Sequence, residues 1–369
     1  MIALKEKNNT LLLIFFLFIF QFYIIFNLEI YSELYTIIKW YNSPLGIFDT
    51  LGMRILDDGT FKATYSFIYL LPVYLCFIFF KLFGLVDNTS LALSNFIVIN
   101  TQLLLLILVS KKLFKSSINT LLLYTLFFIG TFMWTGLQRV YPHDTIILLI
   151  LLKIIFPNLK FFLMGLMVYV DPVIGLFFVI LFSFFYNYST KKTIINNLSN
   201  TFRFSFMPIV FGLLLWIIPI LYLQNLTDSV GSSSSIYDRI FGSEDPYFFS
   251  RIQVYTPFHY YLPLYIQSSF SSFTYGALPF AASNIITPIG LYLLYKHRLV
   301  VMNCINKKDL LVISGISLMI AYIVFALIFG QAAASHRFDY DQYFQAGLLF
   351  ILIVIFSSNN IYKDKVFIF

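Results

Sequence analysis

Charge is what this chain has least of. Only 11% of its 369 residues are Asp, Glu, Lys or Arg, against 60% that are hydrophobic, and mean hydropathy is +0.85. A soluble domain carries roughly 25% charge and could not hide so much apolar side chain in one core. Cysteine is almost missing: Cys76 and Cys304 lie in different segments and suggest no disulfide framework. The four histidines show no zinc spacing, and no phosphate-cradling Gly-rich loop or dinucleotide fingerprint occurs, which argues against nucleotide-fuelled chemistry. No internal repeat of the kind common in transporters is evident, and no stretch is long enough to fold alone as a soluble domain.

What remains is apolar and aromatic, with 45 Phe and 26 Tyr. The composition predicts an all-α polytopic membrane protein, one integral membrane domain over 1–369. After Lys5, Glu6 and Lys7 an apolar run from Leu11 to Leu28 reads as a retained signal anchor, about the 20 residues a span needs. Further runs lie near 67–85, 91–110, 118–135, 145–156, 161–187, 207–223, 277–295, 310–330 and 342–357.

The net charge of +7 resembles a nucleic-acid signal only until its distribution is examined. Let 67–85 stay on one face as a juxtamembrane or re-entrant segment, and let 161–187 be a hairpin turning at Asp171-Pro172. About ten transmembrane helices result, and 16 of the 24 Lys and Arg fall on the inner side, from Lys5 and Lys7 through Lys111, Lys153, Lys160, Lys308 and Lys365. If 67–85 crosses instead, 17 fall outside and 7 inside. The positive-inside rule favours the first arrangement. Residues 29–90 then form the first outer loop and 224–276 the second, and nucleic acid is not an expected partner.

The outer basic residues are mostly arginine: Arg54, Arg139, Arg239, Arg251 and Arg337 are five of the seven arginines in the chain. Lysine orients a membrane protein well enough, whereas a planar guanidinium fork matches phosphate. An outer site for a phosphorylated ligand follows. Three patches carry its candidate residues. The first loop holds Glu29, Glu33, Asp49, Asp57 and Asp58. Asp57-Asp58-Gly59 reads first as a solvated turn, while Asp49, between Phe48 and Thr50-Leu51, has a setting in which a partly buried carboxylate could serve as a general base. Gln138 to Asp144 packs Arg139, Tyr141, His143 and Asp144 at a membrane edge, where an interfacial belt and a helix cap are the plain readings. Ser335 to Asp341 sets His336 and Arg337 where they could hold a phosphate, or form a salt-bridged loop with Asp339 and Asp341.

The order of these features resembles the GT-C type of multispanning glycosyltransferase, which uses polyprenyl-phosphate-linked sugars. A first span leads to an acidic outer loop, then to the aromatic, Pro-containing segment Tyr65 to Gly84, then to a span ending at Lys111-Lys112-Leu113-Phe114-Lys115, another span, and Asp144. Leu82-Phe83-Gly84 stands where that family ends a juxtamembrane helix, and Gly165-Leu166 to Asp171-Pro172 resembles its Gly-then-Pro run. The likeness covers about residues 11–187, with Pro72 alone where the family commonly pairs two prolines.

The resemblance implies a membrane hexosyl- or pentosyltransferase in a bacterial plasma (inner) membrane, with its active site on the outer face. It would move a sugar from a polyprenyl-phosphate donor to a hydroxyl of a glycan, lipid or protein acceptor. Asp49 is the implied base, with Asp57 and Asp58 as rivals. Asp144 is a second carboxylate, and Arg337 with His336 the phosphate clamp, Arg139 standing next. A divalent cation, Mg or Mn, suits the acids although no spacing demands one. The alternatives are a polymerase or ligase of undecaprenyl-diphosphate glycans and, less well supported, a lipid or sugar transporter.

Overall fold

The computed structural model describes residues 11–19, 21–22, 35–42, 54–55, 61–62, 67–114, 118–129, 142–189, 193–226, 278–328 and 337–358. They form an all-helical architecture. In chain order these are α1 (11–19 and 21–22), α2 (Tyr35–Asn42), α3 (Leu71–Leu82, after a 3-10 turn Phe67–Leu70), α4 (Asp87–Phe114) and α5 (Ile118–Ile129). Then follow α6 (Pro142–Ile155), α7 (Lys160–Val170), α8 (Pro172–Asn187), α9 (Ile194–Leu226), α10 (Leu278–Lys296), α11 (Arg298–Asn306), α12 (Leu310–Ile328) and α13 (Arg337–Ser358). The one extended pairing among the described residues joins β1 (Arg54–Ile55) to β2 (Phe61–Lys62), with Arg54 opposite Lys62. Asp57 and Asp58 fall between these strands and outside the described residues.

Among the described residues three helices are long and apolar enough to cross a membrane: Asp87–Leu113, Ile194–Leu215 and Leu310–Leu327. Ile68–Leu82, Pro157–Val170, Pro172–Asn187 and Gln342–Ser357 are equally apolar but shorter. Two boundaries differ from those expected. The helix anticipated at 207–223 begins at Ile194, and the last begins at Arg337 rather than 342. In α9 the reason is visible in its surface. Ile194, Ile195, Leu198, Phe202 and Phe206 are exposed, together with Asn196, Ser199 and Arg203, while Asn197, Thr201 and Ser205 on the neighbouring stripe are buried. Thr201 Oγ1 donates to the Asn197 carbonyl at 2.8 Å, and Asn197 donates to the Ser189 carbonyl at 3.0 Å. A hydropathy window averages these faces and stops at the Asn and Ser residues. The helix continues because Asn197 and Thr201 are satisfied inward while large apolar side chains point out, unlike a soluble surface helix.

The α7–α8 break is set locally. Asp171 takes an extended backbone (φ −137°, ψ 99°), and its Oδ1 accepts from the N–H groups of Val173 and Ile174 at 3.2 and 3.0 Å. Pro172 supplies the first helical position, where its missing N–H costs nothing. Helices α12 and α13 pack closely because Gly315 and Gly347 face each other: a Cβ on Gly315 would stand 2.6 Å from the Gly347 carbonyl, and one on Gly347 would strike the Gly315 carbonyl.

Helix α3 runs back along the first half of α4. The chain turns at Gly84 (φ 74°), and Lys81 Nζ lies 2.9 Å from Asp87 Oδ1 across that turn. At its other end the Tyr69 carbonyl accepts from Thr145 Oγ1 of α6 at 2.9 Å. Gln102 of α4 also meets α6, at Asp144. Fifteen residues separate Asp87 from Gln102, about 22 Å of helix rise. The start of α6 is therefore level with the middle of α4.

Candidate functional site

At that level a set of polar side chains is enclosed by apolar helices. Asp144 lies in the first turn of α6, whose Pro142 opens the helix, and its carboxylate is favoured there by the helix N-terminus. It is 0% exposed and His143 is 1% exposed. Gln102 Nε2 donates to both Asp144 Oδ1 and the Asp144 carbonyl, each at 3.1 Å, so α4 pins the carboxylate and the turn beneath it. His143 Nε2 stands 3.6 Å from Asp144 Oδ2, within ion-pair reach when the imidazole is protonated. The His143 ring meets the Tyr343 ring of α13 edge-on, centroids 5.8 Å apart. Tyr343 in turn donates its hydroxyl to Asp171 Oδ2 at 2.9 Å.

Residues from α4, α6, the α7–α8 junction and α13 thus come together: Gln102, His143, Asp144, Asp171 and Tyr343. Tyr124 of α5 borders the cluster and donates to the Ile99 carbonyl at 3.3 Å. A second polar contact lies at the same depth on another side of α4, where Asn100 Nδ2 donates to Gln21 Oε1 of α1 at 2.6 Å. Chemically, the group offers a fixed carboxylate next to an imidazole, and a phenol whose proton is committed to a second carboxylate. Buried ionisable groups in an apolar bundle are costly unless paired, and their default reading is functional.

Of the residues singled out from sequence, Asp144 and His143 are in this cluster. Asp49, Asp57, Asp58, Arg139 and His336 lie outside the described residues. Arg337 is the first residue of α13, not part of a preceding loop, and its side chain is outside the described part. Tyr343 follows it by six residues, about 9 Å along the helix. Sequence reasoning left Gln102, Asp171 and Tyr343 out of the site. The signal for Asp171 was its place as an acid within an apolar stretch before Pro; Gln102 and Tyr343 carry no local signal, because only packing brings them to Asp144 and Asp171. Among the described residues no group of three His, Cys, Asp or Glu side chains could hold a metal ion, so nothing described here forms a Mg or Mn site. Both cysteines are unbridged.

What the described residues define is an all-helical architecture, with three helices among them able by length and composition to cross a membrane and a buried carboxylate–imidazole pair between its helices. No protein-family model, no curated protein and no solved structure matches the chain.

Proposed function

We propose that the protein is a membrane glycosyltransferase of GT-C type that moves a sugar from a polyprenyl-phosphate donor to an acceptor hydroxyl. About ten crossings would place the site toward the outer face of a bacterial inner membrane. The observation that supports this best is the buried Asp144–His143 pair beside Tyr343, near the start of a helix that opens with Arg337. A hydrolytic or group-transfer reaction on a lipid donor needs such groups within reach of the bilayer, where the donor arrives sideways.

The step balances as follows. Asp49 takes the acceptor O–H proton, the acceptor oxygen forms the new bond to the anomeric carbon, and the bond from that carbon to the phosphate oxygen breaks. The departing polyprenyl phosphate is neutralised by Arg337 and His336, with Arg139 as the next cation. Asp57 and Asp58 are the rival bases. Asp144, enclosed and held by Gln102, acts as the second carboxylate by fixing the His143 imidazole instead of meeting the acceptor itself. At 3.6 Å the contact is an ion-pair distance, which holds a protonated ring beside the carboxylate.

The test is to incubate purified protein with radiolabelled polyprenyl-phosphate sugars and, separately, with undecaprenyl-diphosphate oligosaccharides, and to follow loss of the lipid-linked sugar. Release of polyprenyl monophosphate, lowered 10²–10⁴-fold by Asp49→Asn, is the expected result. Turnover of the diphosphate-linked glycans alone would replace this reading with the polymerase or ligase. No turnover of either, with uptake of lipid-linked sugar into vesicles, would replace it with the transporter.

A further inference from the structure

At the end of the bundle away from Asp144, three lysines from three different segments converge on one row of aromatic rings. Phe178, Phe182 and Tyr186 repeat every four residues along α8 and stack in sequence, with centroids 5.9 and 5.8 Å apart and interplanar angles of 27° and 12°. Lys153, from the end of α6, is 2% exposed and not a headgroup-facing residue as its place in the charge pattern suggested. Its Nζ lies 3.2 Å from the Phe182 centroid and 4.9 Å from that of Phe178, and it donates to Ser314 Oγ at 3.3 Å. That lysine is enclosed and accounted for.

The outer part of the row is different. Lys160, at the start of α7, holds its Nζ 5.7 Å from the Tyr186 centroid and 5.1 Å from those of Phe161 and Phe204. Lys308 reaches the same Tyr186 ring at 5.3 Å from the turn between α11 and α12, where its backbone takes φ 57°. Among the described residues neither ammonium has a carboxylate in salt-bridge range. The nearest acid in sequence, Asp309, uses Oδ1 to cap α12 through the N–H groups of Leu311 and Val312. A ring face attracts a cation but removes none of its charge, so both ammoniums near this ring remain available to an anion.

The surroundings define which anion. Phe161 and Phe162 are exposed beside Lys160, and the exposed Ile194, Ile195, Leu198, Phe202 and Phe206 of α9 continue the same surface, with Arg203 exposed among them. Phe204 of α9 packs on both Phe161 and Tyr186, which joins that surface to the lysines. We propose that Lys160 and Lys308, meeting at Tyr186, bind the phosphate of an anionic membrane lipid whose acyl chains lie along Phe161, Phe162 and the exposed apolar side chains of α9. A basic pocket between helices with an apolar wall beneath it fits a phospholipid headgroup and its tails together. This assignment does not depend on the glycosyltransferase reading, since it concerns the opposite end of the bundle.

The probe is phosphatidylglycerol, compared with phosphatidylcholine and with inorganic phosphate, each titrated into the full-length protein in neutral detergent while bound lipid is counted by native mass spectrometry. The parent should bind phosphatidylglycerol above phosphatidylcholine. Each of Lys160→Gln and Lys308→Gln should weaken it about fivefold, and the double variant about thirtyfold. Lys160→Arg with Lys308→Arg should retain binding and so control for folding. Lys111→Gln with Lys112→Gln removes the same charge from the exposed end of α4 and should leave affinity unchanged. Equal losses in the two double Gln variants would mean diffuse attraction to basic surface and overturn the site. Unchanged affinity in the Lys160→Gln, Lys308→Gln protein would overturn it too, as would a parent that binds both lipids alike. Full competition by inorganic phosphate at the lipid's own concentration would reassign the pair to a soluble anion.

Discussion

Two aspartates in this protein do the same backbone work in different company. Asp309 and Asp171 each cap a helix by accepting two N–H groups through one carboxylate oxygen. At Asp171 the second oxygen also takes the Tyr343 hydroxyl, and the residue is buried. Removing a cap costs about 1 kcal/mol, and stranding a buried hydroxyl costs about 1–3 kcal/mol more. Asp171→Ala should therefore lower the melting temperature at least twice as far as Asp309→Ala. Equal losses would show that the Tyr343 bond contributes nothing. At Asp309, burial pushes the carboxyl above the usual range while the capping N–H groups pull it back. A raised folded-state pKa gives a contribution that is complete below the unfolded value of about 3.9 and is lost as pH rises through the folded one. Asp309→Asn keeps the cap without the charge, so at pH 7 it should melt no lower than the parent.

Among the elements, the α12–α13 crossing carries the most specific packing. Gly315 and Gly347 present backbone to backbone, and a methyl on either would meet the other's carbonyl, which is not a flexible side chain that can step aside. Gly347→Ala must part the helices, at about 1–3 kcal/mol. Because Tyr343 lies one turn before Gly347 on α13, the shift should also disturb its bond to Asp171. Melting of Gly347→Ala should therefore combine less than additively with Tyr343→Phe, while Gly347→Ala and Asp309→Ala, at unrelated contacts, should add. Strict additivity in both pairs would separate the crossing from the polar cluster. The same elements show what can be read from a sequence and what cannot. The α7–α8 break was legible because Asp-Pro states it locally. The start of α9 was not, because Asn197, Thr201 and Ser205 look like a loop until their burial beside exposed apolar side chains is known. Asp144 was legible as an acid beside a helix start. Its partners were not, since Gln102 and Tyr343 lie 42 and 199 positions away from it and meet it or its neighbour only through helix packing.

At the scale of the whole molecule, two polar groupings sit at different levels of one apolar bundle. The Asp144 cluster gathers the starts of α6, α8 and α13, and the lysine row gathers the ends of α6 and α8 with the starts of α7 and α12. In the arrangement expected from the charge pattern, Asp144 and Asp171 would share one side and Lys153, Lys160 and Lys308 the other, the same grouping as these two levels. If the chain spans the membrane in that sense, the turn before α4 and the turn after α11 are on opposite faces. Asn88, exposed at the start of α4, and Asn306, exposed at the end of α11, report on the two. With Cys76 and Cys304 replaced by Ser, a single cysteine at Asn88 should react with a membrane-impermeant maleimide in intact cells, and one at Asn306 only after permeabilisation. The opposite pattern would invert the protein and put the Asp144 cluster on the nucleotide-sugar side, away from a donor presented outside. Labelling of both positions in intact cells would place both turns on one face and break the alternation of crossings between α4 and α11.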